Sequence, residues 1–220
     1  MKYTISALAL TTMLCVAGQS AAQDFTPKTT GTFILAGRVT DVSPDASGSI
    51  YTAAGAATGL NVDVKADVMP TLGFTYFLNE HVAVEAILGT TKHVINAVGA
   101  GGATAVHDTW VLPPVVTLQY HFQPKARVSP YVGAGLGYSD VSVTYRPSGV
   151  GIIDDSESTF AYQLKAGATW SVSERIDLYG EAAYRATEDV ELQNQLFPGT
   201  LNIENTQTVL SVGARYRFGS

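Results

Sequence analysis

The chain has 220 residues, of which 46% are hydrophobic and 15% charged, and a formal charge of −6. That length suits one domain, and the excess of acid excludes the basic footprint of a nucleic-acid binder. The only cysteine, Cys15, excludes a disulfide framework.

Residues 1–22 read as a secretory leader. Met1-Lys2 gives a positive start, Ile5 to Ala17 is mostly apolar, and Ser20-Ala21-Ala22 offers the small residues a signal peptidase needs. Cleavage is predicted near Ala22, leaving 23–220 as one domain. The apolar run is shorter than the roughly 20 residues of a spanning helix. Cleavage would also remove Cys15 and Lys2, so the remaining charge is 12 − 19 = −7.

From Gly31 the chain repeats one pattern, about ten residues alternating in polarity and then a break. Phe33, Leu35, Gly37 and Val39 share a face of the first segment. Pro70, Leu72, Phe74, Tyr76 and Leu78 do so in the second, and Val82, Val84, Ala86 and Leu88 in the third. The fourth, "WVLPPVVTLQYHF" (110–122), alternates on either side of two adjacent prolines. The fifth carries Val132, Ala134, Leu136 and Tyr138, and the sixth Tyr162, Leu164, Ala166, Ala168 and Trp170. Ile176, Leu178, Ala182 and Tyr184 mark the seventh; Thr208, Leu210, Val212, Ala214, Tyr216 and Phe218 mark the eighth. Period two over eight segments predicts an all-β chain.

The opposite faces carry Arg38, Glu85, Lys165, Asp177, Glu181, Arg185, Arg215 and Arg217, with glycines at 133, 135, 137, 167 and 213. Alternation alone does not say which face is outside. Three features do. Aromatics gather at strand ends (Tyr76, Phe77, Tyr120, Phe122, Tyr131, Tyr162, Trp170, Tyr216, Phe218), as interfacial girdles require. Short breaks at 79–80, 123–129 and 173–175 alternate with long ones at 41–67, 96–108, 147–158 and 193–205. The last segment ends "ARYRF", where Tyr216 and Phe218 supply an aromatic signal for the barrel-assembly machinery. The prediction is an eight-stranded antiparallel transmembrane β-barrel with long outer loops and short periplasmic turns. It would lie in the outer membrane of a Gram-negative bacterium, as a monomer among lipid and lipopolysaccharide.

Three stretches carry a resemblance: "PTLGFTYFLNEHVAVEAILGTTKH" (70–93), "HDTWVLPPVVTLQYHF" (107–122) and "PYVGAGLGY" (130–138). They resemble the OmpW family of small outer-membrane barrels. The resemblance implies a narrow, largely apolar passage that admits small hydrophobic molecules. It carries an inward aliphatic residue of the constriction onto Ile87. The family's aromatic partner falls near Phe160, which strict alternation turns toward lipid with Tyr162 unless a bulge shifts the register.

The charges at Arg38, Glu85, Lys165, Glu181, Arg185, Arg215 and Arg217 are expected to pair and fill the lower barrel, since eight strands enclose only enough width for side chains. Pro70, Pro113 and Pro114 lack the donor a ladder needs. They mark either a lateral weak point, the Pro113-Pro114 pair loosening both of its seams, or strands that stop pairing above the lipid. No enzyme is predicted: His121 has no serine beside it on its face, and His93, His107 and Asp108 around the second outer loop form no constellation. No cofactor or metal is expected. The reading is a passage for a small apolar solute; the alternative is a barrel acting through its loops in adhesion, stress tolerance, or phage or bacteriocin reception.

Overall fold

The structure, a computed structural model, describes residues 26–51, 56–89, 91–112, 114–145, 155–187, 190–193 and 200–218. The predicted leader, Pro113 and Gly219-Ser220 lie outside the described residues. Twelve strands follow in chain order: β1 (Phe33–Tyr51), β2 (Ala57–Val64), β3 (Asp67–Phe77), β4 (Val82–Leu88), β5 (Thr91–Gly99), β6 (Gly102–Leu112), β7 (Val115–His121), β8 (Val128–Tyr145), β9 (Asp155–Ser171), β10 (Ile176–Thr187), β11 (Val190–Gln193) and β12 (Thr200–Phe218).

Eight of them close a ring of antiparallel pairs, β1–β3–β4–β7–β8–β9–β10–β12 and back to β1. Closure matters because a sheet edge left in lipid has no water to satisfy its polar groups. Above the ring, β2, β5 and β6 continue the wall between β1 and β8. Sequence alternation missed this upper tier, reading 41–67 and 96–108 as loops. Asp155–Ser158 and Thr200–Asn205, read as loop, likewise belong to β9 and β12.

The faces follow the alternation. Val39, Leu72, Leu118, Leu164 and Val212 point outward, each more than half exposed, while Arg38, Glu85, Lys165 and Arg215 are buried inside. Apolar side chains outside and charged ones inside is the reverse of a water-soluble barrel, and it fits a lipid surround. Two girdle assignments need correction. Phe77 and Tyr131 are buried inward, where both rings lie near His121, at 4.9 and 5.0 Å between centroids.

The periplasmic turns are fastened by local bonds. Asn79 Oδ1 accepts from the amides of His81 and Val82, and the Ser173 hydroxyl accepts from the Ile176 amide. Lys125 sits 2.8 Å from Glu80, and that hydrogen bond holds the Glu80 carboxyl below the usual carboxylate range.

Candidate functional site

The interior is layered. At the periplasmic end, residues 26–32 cross the mouth before β1 begins. The Thr26 amide donates to the Glu174 carbonyl, the Lys28 amide donates to the Pro124 carbonyl, and Arg217 donates to the Thr26 carbonyl. The Lys28 side chain enters the barrel base, buried, and its ammonium donates to Thr169 Oγ1 at 3.0 Å. Beside it Arg217 pairs with Asp177 at 3.0 Å, and Asp177 also accepts from Ser171.

Burial lowers the Lys28 pKa from 10.5 to about 8, opposed by the nearby Asp177. The folded protein therefore loses this proton before the unfolded chain does. Stability should rise with pH between about 8 and 10.5, by up to about 3 kcal/mol. Urea midpoints in lipid vesicles at both ends of that window should show the rise, and Lys28→Met should abolish it.

One layer higher lies a charge cluster built from five strands. Arg38 comes from β1, Glu85 from β4, Lys165 from β9, Glu181 from β10 and Arg215 from β12. Lys165 contacts Glu85 directly and lies 3.2 Å from Glu181; Arg38 pairs with Glu181 at 2.5 Å. Arg215 approaches both carboxylates at 3.7 and 3.8 Å. Gln119 donates to Glu85 at 2.8 Å, and the Tyr131 hydroxyl donates to Glu181 at 2.7 Å while accepting from Arg215 at 3.0 Å. Arg215 also lies over the Tyr179 ring, 3.9 Å from its centroid. Glu85, Lys165 and Arg215 have side chains fully shielded from solvent. The centre of this layer is shielded from water.

Above the cluster is a small cleft, partly open to solvent, with a cavity volume of about 30 Å³. Its floor is Arg38 and Glu181, and its walls include Thr40, Thr71, Gln163, Arg185 and Ser211. Val42, Met69, Ala183 and Val209 form an apolar cluster on it, joined by Ile87. Ile87 thus lines the lumen, on the face its parity assigns. Phe160 does not. It is 56% exposed on the outer face against Tyr138, because β8 and β9 pair without a bulge and alternation holds. Arg185 also moves: it lines the cleft above the cluster and donates to the Gln163 side-chain carbonyl at 2.9 Å, so it is no part of the lower plug. The upper lumen is therefore amphipathic and not simply apolar.

The cleft reaches the wall at Thr71 and Gly89, where one seam is interrupted. β3 pairs with β4 only as far as Leu72↔Leu88, and β2 meets β5 again at Val64↔Ile95. Between them the upper part of β3 (Asp67–Thr71) pairs, among the described residues, with β1 alone. Pro70 sits in that stretch, exposed and without an amide hydrogen to offer. Above it the gap is bridged by the Lys65 amide to the Val94 carbonyl (3.1 Å) and the Lys92 amide to Asp67 (2.8 Å). On its inner side Thr71 lies against Gly89, so close that a Cβ at 89 would overlap the threonine methyl. Pro114 does not open the seam to β8. The registers of β6 and β7 on β8 are continuous, and the Tyr138 amide donates to the Pro114 carbonyl at 3.3 Å. The seam on the β4 side is also interrupted among the described residues, since β4 pairs with β7 only as far as Ile87↔Val115 and β5 pairs with β6 from Thr91↔Val111.

One pairing escaped the sequence reading. Ser129 of β8 places its hydroxyl 3.4 Å from His121 Nδ1, a contact across strands that no spacing announces. The acid of a nucleophilic triad does not stand behind it: His121 Nε2 faces the side-chain carbonyl of Gln119 at 3.1 Å, and all three side chains are sealed from water. His93 is bonded to the Lys65 carbonyl at 2.9 Å. The side chains of His107 and Asp108 lie outside the described residues. Tyr216 and Phe218 project outward and pack edge to face at 4.7 Å, at the periplasmic rim.

A closed ring of eight strands with lipid-facing apolar residues, a charged interior and an amphipathic cleft defines a small outer-membrane β-barrel. The OmpW family profile matches residues 29–151, and a second, described as surface antigen, matches 122–211. The chain belongs to the OmpW family. It is 43% identical over 81 residues to an uncharacterized outer-membrane protein, y4mB, of Sinorhizobium fredii (37% of this chain, 35% of that protein). It is 31% identical over 141 residues to outer membrane protein W of Salmonella typhi (63% of this chain, 59% of that one). These matches span about a third and three fifths of those relatives. The dibenzothiophene metabolism operon protein PahQ of Pseudomonas aeruginosa is 31% identical over 108 residues, 47% of this chain and 49% of PahQ. Among solved structures, outer membrane protein OprG of Pseudomonas aeruginosa superposes with a TM-score of 0.68 at 19% identity, covering 90% of this chain and all of that one. The chain is an outer-membrane protein of this fold, surrounded by lipid and lipopolysaccharide.

Proposed function

We propose that the barrel takes small hydrophobic molecules from outside into its upper cleft and releases them sideways into the membrane, between β3 and β4. The observation that carries this reading is that one cleft joins Ile87 to the interrupted seam at Thr71 and Gly89, above a floor sealed by ion pairs. A solute that enters cannot continue downward through that floor without unpairing buried charges, which costs several kcal/mol each. Among the described residues the wall at Thr71–Gly89 is held by side-chain contact without ladder bonds between the two strands, so it is the cheaper exit. The name of PahQ, an operon protein of dibenzothiophene metabolism, associates that relative with an apolar aromatic compound. We further propose that the solute is passed unchanged, without an enzymatic step, and that the protein acts as a monomer delivered by the barrel-assembly machinery after its leader is cleaved.

The test is toluene uptake by cells displaying the Thr71→Cys/Gly89→Cys double variant. A Cβ at 89 would lie 3.1 Å from Thr71 Cβ, close enough for a disulfide to form with small adjustment. Uptake is expected to fall tenfold or more under oxidation and to return on reduction. Ile87→Asp, at matched surface levels, should also reduce it. Equal uptake in the oxidised and reduced states defeats the lateral route. If the wild-type protein speeds no solute at all, transport fails and the loop-acting reading takes its place.

A further inference from the structure

The interior charge does not balance. Among the described residues six cations (Lys28, Arg38, Lys165, Arg185, Arg215, Arg217) are buried inside, against three carboxylates (Glu85, Asp177, Glu181). The whole chain is acidic at −6, so the excess of three positive charges is specific to the lumen. An uncompensated buried cation is costly, and such groups are ordinarily paired.

Two of these cations face the cleft. Arg38 commits one nitrogen, Nη1, to Glu181, while its Nε and Nη2 have no hydrogen-bond partner although the side chain is 1% exposed. Among the described residues no carboxylate pairs with Arg185, which is more than nine-tenths buried and bonds only Gln163. Thr40, Thr71 and Ser211 add hydroxyls to the same walls. Thr40 is already bonded to both of the others, at 2.7 and 3.0 Å, so the hydroxyls form a fixed shelf. On the same three strands and the same inward face, two residues farther toward the outer end, stand Val42, Met69 and Val209.

We infer that the cleft is a binding site for a small apolar monocarboxylate, its head on Arg185 and Arg38 and its tail against Val42, Met69 and Val209. A carboxylate matches the planar fork of a guanidinium with two parallel hydrogen bonds. A single negative charge suits the site, because Glu181 at the floor repels a second. The short apolar wall selects a compact tail. The inference deepens the passage reading and rests on the same cleft, but it concerns which solutes are held there and does not depend on how they leave.

The experiment is a calorimetric titration of the folded full-length barrel in lipid nanodiscs with benzoate and with benzamide, its neutral analogue of similar shape. The wild-type protein should prefer benzoate by tenfold or more. Arg185→Gln should erase most of that preference, and Arg185→Lys should keep part of it, since the charge survives without the fork. Equal binding of the two probes overturns the inference, as does an Arg185→Gln variant, shown to be folded, that retains the full preference. The passage reading is judged separately by toluene uptake. Benzoate preference without toluene uptake would sink transport and leave the anion site standing, and the reverse result would sink only the site.

Discussion

Glu85→Gln is expected to destabilise the folded barrel by about 3–5 kcal/mol, the usual cost of removing one partner from a buried ionic network. Glu85 is reached by Lys165, by Gln119 at 2.8 Å, and by Arg38 and Arg215 at 3.7 Å each. Without its charge, three cations share the single carboxylate of Glu181 in a layer whose centre is shielded from water. The fit comparison is Lys65→Ala. Lys65 pairs with Asp63 at 2.7 Å, but both ends are exposed, and such pairs contribute about 0–1 kcal/mol. Urea unfolding in lipid vesicles should separate the two variants widely. A Glu85→Gln loss no larger than that of Lys65→Ala would mean that the cluster is not what holds the lower barrel together.

The second large effect concerns closure of the ring. Gly213 of β12 faces Arg38 of β1 across the seam that joins the last strand to the first. A Cβ at 213 would overlap the Gly37 carbonyl oxygen and come within 2.8 Å of the Arg38 Cα, both backbone atoms that cannot turn aside. Gly213→Val is therefore expected to cost at least the roughly 1–3 kcal/mol of ordinary overpacking and to prevent correct closure. Gly37, one position away on the partner strand, faces outward, and a Cβ added there would meet nothing within 4 Å. Gly37→Val should fold as the parent does. The gel-shift between folded and heated protein reports both: Gly213→Val should lack the compact band, and Gly37→Val should retain it. A compact band in both variants would show that the seam tolerates bulk.

How much of this was legible in the sequence depends on where lipid is. Within the membrane one face of each strand meets hydrocarbon and the other a polar interior, so polarity must alternate. Leu72, Leu118 and Leu164, with Glu85, Lys165 and Arg215, all fall on the faces their parity assigns. Above the membrane the contrast vanishes. β2 is built from "ATGLNVDV", and nothing in it marks an inside and an outside, so strand and loop look alike. Phe77 and Tyr131 were misplaced because an aromatic at a strand end serves equally as an interfacial anchor or an inward wedge. The cleft was half legible. Ile87 and the inward charges follow from parity, but the isolation of Arg185 depends on which carboxylates the other strands bring near it. Lys28 stands outside any repeat, and the contact between Thr71 and Gly89 depends on where one ladder stops. Pro70 marked that place, but where each ladder stops and resumes is revealed only by the register.

The closing seam carries a consequence for how the molecule is made. β1 and β12 meet at fifteen paired positions, from Phe33↔Phe218 to Ser47↔Glu204, contributed by opposite ends of the chain. Until the last strand has been synthesised and delivered, each half of that seam is a raw edge of amides and carbonyls. Hydrocarbon cannot solvate such an edge, at several kcal/mol for each group left unsatisfied. A partly inserted sheet of six or seven strands is thus forbidden ground. The two edges must therefore stay in water or be covered until they meet each other.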